Sequence, residues 1–203
     1  MYDITSSIER QKKTYVNALQ NQDIERKSML LHCCCAPCAT YVLELLYPLY
    51  NITLFFYNPN IEPQSEYVRR KGEIDKLLVR NNLQDEIGVL DCGYDNEMFA
   101  KAVSNLRDEP EGGARCNICY ELRLAKTAKQ AVYGEYDIFA TTLSISPYKD
   151  TLLLNQIGSK LSSDHNILYY VADFKENNGY IQSIELSKKY DLYRQNYCGC
   201  LSK

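Results

Sequence analysis

The chain has 203 residues, 45% of them hydrophobic, which suits one α/β domain with a substantial core. A formal charge of -3 excludes a generally basic protein, so a nucleic-acid partner would need a local basic patch. The opening residues hold no apolar segment of a secretory signal and no apolar run reaches membrane-spanning length, so the expected compartment is the cytoplasm, with no membrane partner.

Residues 1–27 read as a polar N-terminal helical extension, with a helix from Ser6 or Ser7 to about Gln20. Residues 28–35 are a short apolar run and read as a buried strand. Pro37 fits the first turn of the next helix, where a missing N–H costs nothing. Val42, Leu43, Leu45 and Leu46 carry the helical spacing through 38–48. Residues 52–57 read as a second strand, broken by Asn58-Pro59-Asn60. A helix over 64–81, a strand over 87–90, a helix over 96–107 and a loop over 110–113 follow. Next come a helix over 117–133, a strand over 136–142, a loop over 144–147, a helix over 149–162 and a strand over 167–172. The polar tail from Asp173 holds a helix near 182–190. Strands alternating with helices predict an α/β fold with a mostly parallel sheet and right-handed crossovers, in one domain over 28–203.

Nine cysteines in a reducing compartment point to metal binding or redox chemistry rather than to a disulfide framework. Seven fall into three groups. Cys34, Cys35 and Cys38 stand where the first strand ends, the place where open α/β sheets bind ligands. Neighbours on a strand face opposite ways, so Cys34 and Cys35 meet one centre only if the strand stops before them. Cys116 and Cys119 form a Cys-x-x-Cys at the start of a helix. Cys34, Cys35, Cys116 and Cys119 would supply four thiolates, which suits zinc or an iron–sulfur cluster alike. Cys198 and Cys200 bracket a glycine near the end of the chain. Cysteines two apart bridge only in a strained, easily reduced ring, so this pair is a redox candidate, or it ligates a second metal. Cys33 and Cys92 read as buried and semi-buried hydrophobes, and His32 as a core histidine.

Asp173 follows the fifth strand and is a candidate proton donor or ligand. Asn58, Asn60, Glu66, Tyr67 and Arg70 follow the second strand; Thr141, Thr142, Ser144 and Ser146 follow the fourth. Lys188, Lys189 and Arg194 alternate with Tyr190, Tyr193 and Tyr197, a mixture that suits RNA. The chain has neither a Gly-x-Gly-x-x-Gly nor a Walker motif, which argues against a dinucleotide or P-loop cofactor.

His32-Cys33-Cys34-Cys35-Ala36-Pro37-Cys38, Asn58-Pro59-Asn60-Ile61, Arg115-Cys116-Asn117-Ile118-Cys119-Tyr120, Thr141-Thr142-Leu143, Asp173-Phe174-Lys175 and the run from Leu192 to Cys200 together resemble the epoxyqueuosine reductases of the QueH type. The resemblance runs from about Met29 to the C-terminus. It implies a Rossmann-like fold akin to the adenine-nucleotide α-hydrolases, with helices on both faces of the sheet. It implies reduction of the cyclopentane epoxide of epoxyqueuosine to the alkene, the last step of queuosine synthesis in tRNA. The cofactor implied is a [4Fe–4S] cluster with a second iron beside it, and the partners are tRNA carrying epoxyqueuosine and an electron donor. Cys34, Cys35, Cys116 and Cys119 would hold the cluster. Cys198 and Cys200 would cycle between dithiol and disulfide or hold the second iron, with Cys38 serving either centre and Asp173 donating a proton. Two other classes remain open: a nucleotide-dependent tRNA-modifying enzyme, and a zinc-binding RNA module without catalysis. The absence of a Ser-Gly-Gly-x-Asp-type loop after the first strand counts against the former.

Overall fold

Side-chain alternation along the strands sets the layers in this computed structural model, which describes residues 25–200. The expected helix near 6–20 lies outside the described residues. Five strands, β1 (Ser28–His32), β2 (Asn51–Phe56), β3 (Gly88–Asp91), β4 (Ile138–Thr141) and β5 (Leu168–Tyr169), form one sheet in the order β3-β2-β1-β4-β5. Every adjacent pair is parallel. Met29, Leu31, Ile52, Leu54, Phe56, Ile138 and Ala140 point to one face. There they pack with α1 (Ala36–Leu46), α2 (Gln64–Arg80) and, through Tyr190 and Leu186, the end of α6 (Gly179–Lys189). Leu30, Phe55, Tyr57 and Phe139 point to the other face, against Ala128 and Ala131 of α4 (Ala114–Tyr133) and Leu161 of α5 (Thr151–His165). A short α3 (Glu97–Ala102) leads towards α4. Helices thus cover both faces of a parallel sheet, the Rossmann-like arrangement expected. No helix among the described residues is long and apolar enough to cross a membrane.

The chain winds from β1 outward through β2 and β3, then crosses to β4 on the other side of β1. The β1/β4 junction is therefore the switch point, and a crevice opens beyond the carboxyl ends of these two strands.

Several boundaries differ from the sequence reading, each for a local reason. The first strand ends at His32 rather than continuing to 35. Cys33 N still bonds Phe55 O (2.9 Å), but Cys34 N turns to the Thr142 hydroxyl (3.3 Å). The fifth strand keeps two residues of the expected six. Asn155 takes over the backbone of Ala172 instead, donating to its carbonyl (3.2 Å) and accepting from its N–H (3.4 Å). Residues 142–145 form a 3-10 turn capped by Thr141, whose hydroxyl accepts from Leu143 N (3.2 Å). The helix expected over 96–107 stops at Ala102, and α4 begins at Ala114, three residues before its expected start.

Candidate metal and redox site

The early end of β1 lets consecutive cysteines converge. Cys35 is the extended residue that precedes α1, and Pro37 occupies the first turn as expected. The sulfurs of Cys34, Cys35 and Cys38 all lie within 4.8 Å of one another. Cys34 Sγ is 3.7 Å from Cys35 Sγ, and Cys35 Sγ is 2.8 Å from Cys38 Sγ. Cys33 points the other way, into the α1-side core, where its thiol donates to Cys35 O (3.4 Å). Hydrogen bonds from Cys35 and Cys38, helped by Arg123 and Thr142, outweigh burial and hold the Cys34 pKa well below its ordinary value. The same contacts work in reverse on their partners. The bond to Cys34 leads in pushing Cys35 up to about 12, and the bonds to Cys34 and Cys35 push Cys38 well above its ordinary range. Cys34 is thus the sulfur of the three most ready to ionise.

Arg123 is the buried cation beside these sulfurs. Cys116, Cys119 and Arg123 stand at i, i+3 and i+7 of α4, hence on one face. All three are buried. Arg123 lies 3.8 Å from Cys119 Sγ, donates to Asn58 Oδ1, and sets its Nε 3.3 Å from His32 Nε2. Burial disfavours its cation, but Cys119, Cys34 and Cys198 more than compensate and raise its pKa. Burial, followed by the Arg123 charge, lowers His32 to about 3, so this ring is neutral. It spans Thr141 Oγ1 (2.9 Å) and Tyr57 O (3.1 Å), the bonded core histidine that the sequence predicts. Cys116 Sγ accepts from Gly112 N (3.2 Å), while burial leads in raising the Cys119 pKa.

The Cys198-Gly199-Cys200 turn reaches the same place from the tail. Gly199 has φ +96°, and a Cβ there would meet Arg70 Nη2 at 3.0 Å. Arg70, 3% exposed, donates from Nε to Glu66 (2.7 Å) and from Nη1 to Cys198 O (2.9 Å). Glu62 N donates to Gly199 O (2.8 Å). The α2 end of the fold therefore grips the turn by its carbonyls. Lys149 approaches the Cys198 sulfur (3.5 Å) and pairs with Glu111. The Cys200 hydrogen bond, against the cost of burial and with Lys149 and Arg123, lowers Cys198 to about 5. Cys200 is raised, first by its bond to Cys198. Both are free thiols in the structure.

A cavity of about 490 Å³ joins these parts. Cys34, Cys35, Cys38 and Cys198 line it, with Arg123 and Lys149 among the cations. Cys116, Cys119, Cys34 and Cys200 pack in one apolar cluster behind it. The three cysteine groups are thus neighbours at the switch point, although only Cys34, Cys35 and Cys38 form a close sulfur triad among the described residues. Asn58, Asn60, Ser146, Arg194 and Tyr197 also line the cavity. Asp173 is not among its lining residues; its carboxylate accepts from Lys175 N (3.0 Å) and faces Lys175 Nζ (3.4 Å). Cys92 is exposed rather than semi-buried, because β3 lies at the edge of the sheet. Sequence reasoning missed Arg123 and Lys149. The i, i+3, i+7 spacing was a signal for Arg123; Lys149 had none, because its partner Cys198 lies 49 residues away.

Sulfur donors suit a soft metal or an iron–sulfur cluster. The fit is supported by three sulfurs already within 4.8 Å, three more in the adjoining cluster, and the buried Arg123 cation that favours thiolate charge. The family profile described as epoxyqueuosine reductase QueH matches residues 29–202. The epoxyqueuosine reductase QueH of Streptococcus pyogenes serotype M1 is 42% identical over 178 residues, covering 87% of this chain and 70% of the relative. That of Staphylococcus epidermidis is 38% identical over 208 residues, covering 98% and 87%. That of Thermotoga maritima is 34% identical over 177 residues, covering 86% and 88%. Matches of this extent, together with a cysteine-lined switch-point cavity, show that the chain belongs to the QueH epoxyqueuosine reductase family.

Proposed function

We propose that this protein reduces epoxyqueuosine to queuosine in tRNA. The epoxide takes two electrons and two protons; both bonds to its oxygen break, an alkene forms, and the oxygen leaves as water. The observation that carries this reading is a cavity lined by Cys34, Cys35, Cys38, Cys198, the buried Arg123 and the partly buried Lys149, with Cys116 and Cys119 in the adjoining cluster. Cys34, Cys35, Cys116 and Cys119 would hold a [4Fe–4S] cluster, with Cys38 serving this centre or a second iron. Such a cluster, when bound, would relay electrons one at a time from an external donor, and the second iron would supply the Lewis acid.

The remaining tasks belong to side chains. Arg123 and Lys149 present N–H donors at the cavity, suited to the negative charge that develops on the departing oxygen. Cys198 and Cys200 form a thiolate–thiol pair ready to give up two electrons as a disulfide, or to ligate the second iron. Asp173 is the proton donor proposed from its place after the fifth strand in the sequence, although in the structure it faces Lys175 and does not line the cavity. Tyr148, Tyr197 and Arg194 at the cavity offer ring faces and a cation to RNA. Nine free thiols fit the reducing cytoplasm. Anaerobic purification followed by iron and sulfide analysis and turnover of epoxyqueuosine-tRNA tests the reading. Brown, iron-containing protein that forms queuosine is the expected result; colourless protein with stoichiometric zinc and no turnover would overturn it.

A further inference from the structure

Two hydrogen-bond acceptors in the cavity wall are unused. Asn60 is 2% exposed, and its Oδ1 is buried without a hydrogen-bond partner among the described residues. Gln195 Oε1 is likewise buried and unpaired. Of the side chains with such orphaned atoms, these two line the cavity; Arg26, Arg115 and Tyr120 do not. Folded proteins pair nearly all their buried polar groups, so a buried acceptor left open inside a cavity marks a contact awaiting a ligand.

Local structure shows why Asn60 is free for this. Ile61 N bonds Asn58 O (3.1 Å) and closes the turn after β2. Asn58 spends its side chain on the protein, donating to Cys33 O (3.0 Å) and accepting from Arg123. Asn60, two residues on, lies in the cavity wall instead. Gln195 comes from the tail and also lies against Cys35, where its amide favours the thiolate. A ligand held by both oxygens would therefore sit beside the sulfur triad.

An amide oxygen accepts hydrogen bonds and cannot donate them. An epoxide oxygen also only accepts, so Asn60 Oδ1 and Gln195 Oε1 are wrong for it, whereas Arg123 and Lys149 are right. We propose that Asn60 and Gln195 determine specificity by accepting hydrogen bonds from the hydroxyl groups on the substrate's cyclopentane ring, leaving the epoxide to the cationic wall. The inference rests on the substrate reading above. A site built to pair a hydroxyl discriminates strongly against a ligand without one, because the buried acceptor then stays unpaired.

The test compares wild-type holoenzyme with Asn60→Leu and Gln195→Met, measuring kcat/KM on epoxyqueuosine-tRNA, Tm and iron content. Each variant should lose about ten-fold or more in kcat/KM. For Asn60→Leu, Tm should stay level or rise, since an unpaired acceptor is replaced by an apolar group of similar shape; for Gln195→Met, which also loses the amide contact with Cys35, Tm should fall by no more than a few degrees. Iron content should match wild type. Activity within about two-fold of wild type for both variants would overturn the proposal. So would a fall in Tm or iron that tracks activity, which assigns the residues to the fold or the metal site. Absence of wild-type turnover sinks the substrate reading itself; normal wild-type turnover with unaffected variants sinks only this inference.

Discussion

The sulfur triad and the Cys198–Cys200 turn are each a set of hydrogen-bonded thiols in which one has a lowered pKa, yet they are built in opposite ways. Cys34, Cys35 and Cys38 are positioned by regular backbone: a strand that stops at His32 and a helix that Pro37 starts. Their mutual hydrogen bonds are the largest cause of each shifted pKa. The Cys198–Cys200 turn belongs to neither helix nor strand. It is held by side chains and a backbone N–H from elsewhere in the chain: Arg70, Lys149 and the Glu62 amide. A site fixed by backbone should break only when its own atoms change. A site fixed by distant cations should yield to substitutions that touch no sulfur.

The sharpest way to break this contrast is at the triad. Cys35 is the middle sulfur, 3.7 Å from Cys34 and 2.8 Å from Cys38. Cys35→Ser should lose bound iron and reduce turnover by at least about 100-fold, since even partners outside the ligand shell can cost 10–100-fold. Alkylation of Cys198 should be unchanged in this variant; altered reactivity there would show that the two regions are not independent. Arg123 is a buried cation whose charge both regions feel, through Cys34 and Cys198. Arg123→Met should destabilise the protein by about 3–5 kcal/mol, because removing one partner strands buried thiolates. Urea unfolding of reduced protein measures it; a loss below about 1 kcal/mol would mean the thiols simply take up protons.

The same contrast explains what the sequence disclosed. The parallel sheet and its helices were legible because apolar periodicity is local, as in Met29 and Leu31 against Leu30. The triad was legible because its three residues fall within five positions. The end of β1 at His32 was not, because it depends on Thr142 taking the Cys34 N–H from a segment 108 residues away. The contraction of the fifth strand had the same origin, in an Asn155 side chain that captures Ala172. Arg70 stood out after the second strand only as one basic residue among several. Its grip on Cys198 O spans 128 residues and has no sequence signature.

Arg70→Met therefore tests chiefly the tail, since its contact there is a direct hydrogen bond whereas it reaches the triad only through the field at Cys35. It removes a charged donor from Cys198 O and leaves Glu66, 7% exposed, without its cation. Hydrogen bonds to charged groups contribute about 1.5–3 kcal/mol, so the turn should open more readily by about that amount. Faster alkylation of Cys198 and Cys200 at fixed pH, with iron content retained, is the expected outcome. Gly199→Ala should act in the same direction, since φ +96° and the nearby guanidinium both oppose a Cβ. Loss of iron in either variant would mean that the tail helps build the metal site and that the two regions are one.

The mildest perturbation is of charge alone. Cys198 has its pKa lowered to about 5, first by the Cys200 hydrogen bond and, against burial, by Lys149 and Arg123. In reduced, metal-free protein, alkylation of Cys198 followed by peptide mass spectrometry should therefore show a midpoint near pH 5. Lys149→Met removes one cation and keeps the Cys200 bond, so the midpoint should rise by about one unit rather than return to the ordinary thiol value. The consequence for stability has a definite sign. A pKa lower in the folded than in the unfolded chain favours folding fully above the unfolded value, about 8.5, and the benefit fades as pH falls towards 5. Lys149→Met should flatten the dependence of unfolding free energy on pH across that window. The Cys34 contribution, set by Cys35, Cys38, Arg123 and Thr142, should persist and keep part of the slope. A slope abolished outright would mean that the two thiolates titrate as one system, with Arg123 between them joining what the backbone keeps apart.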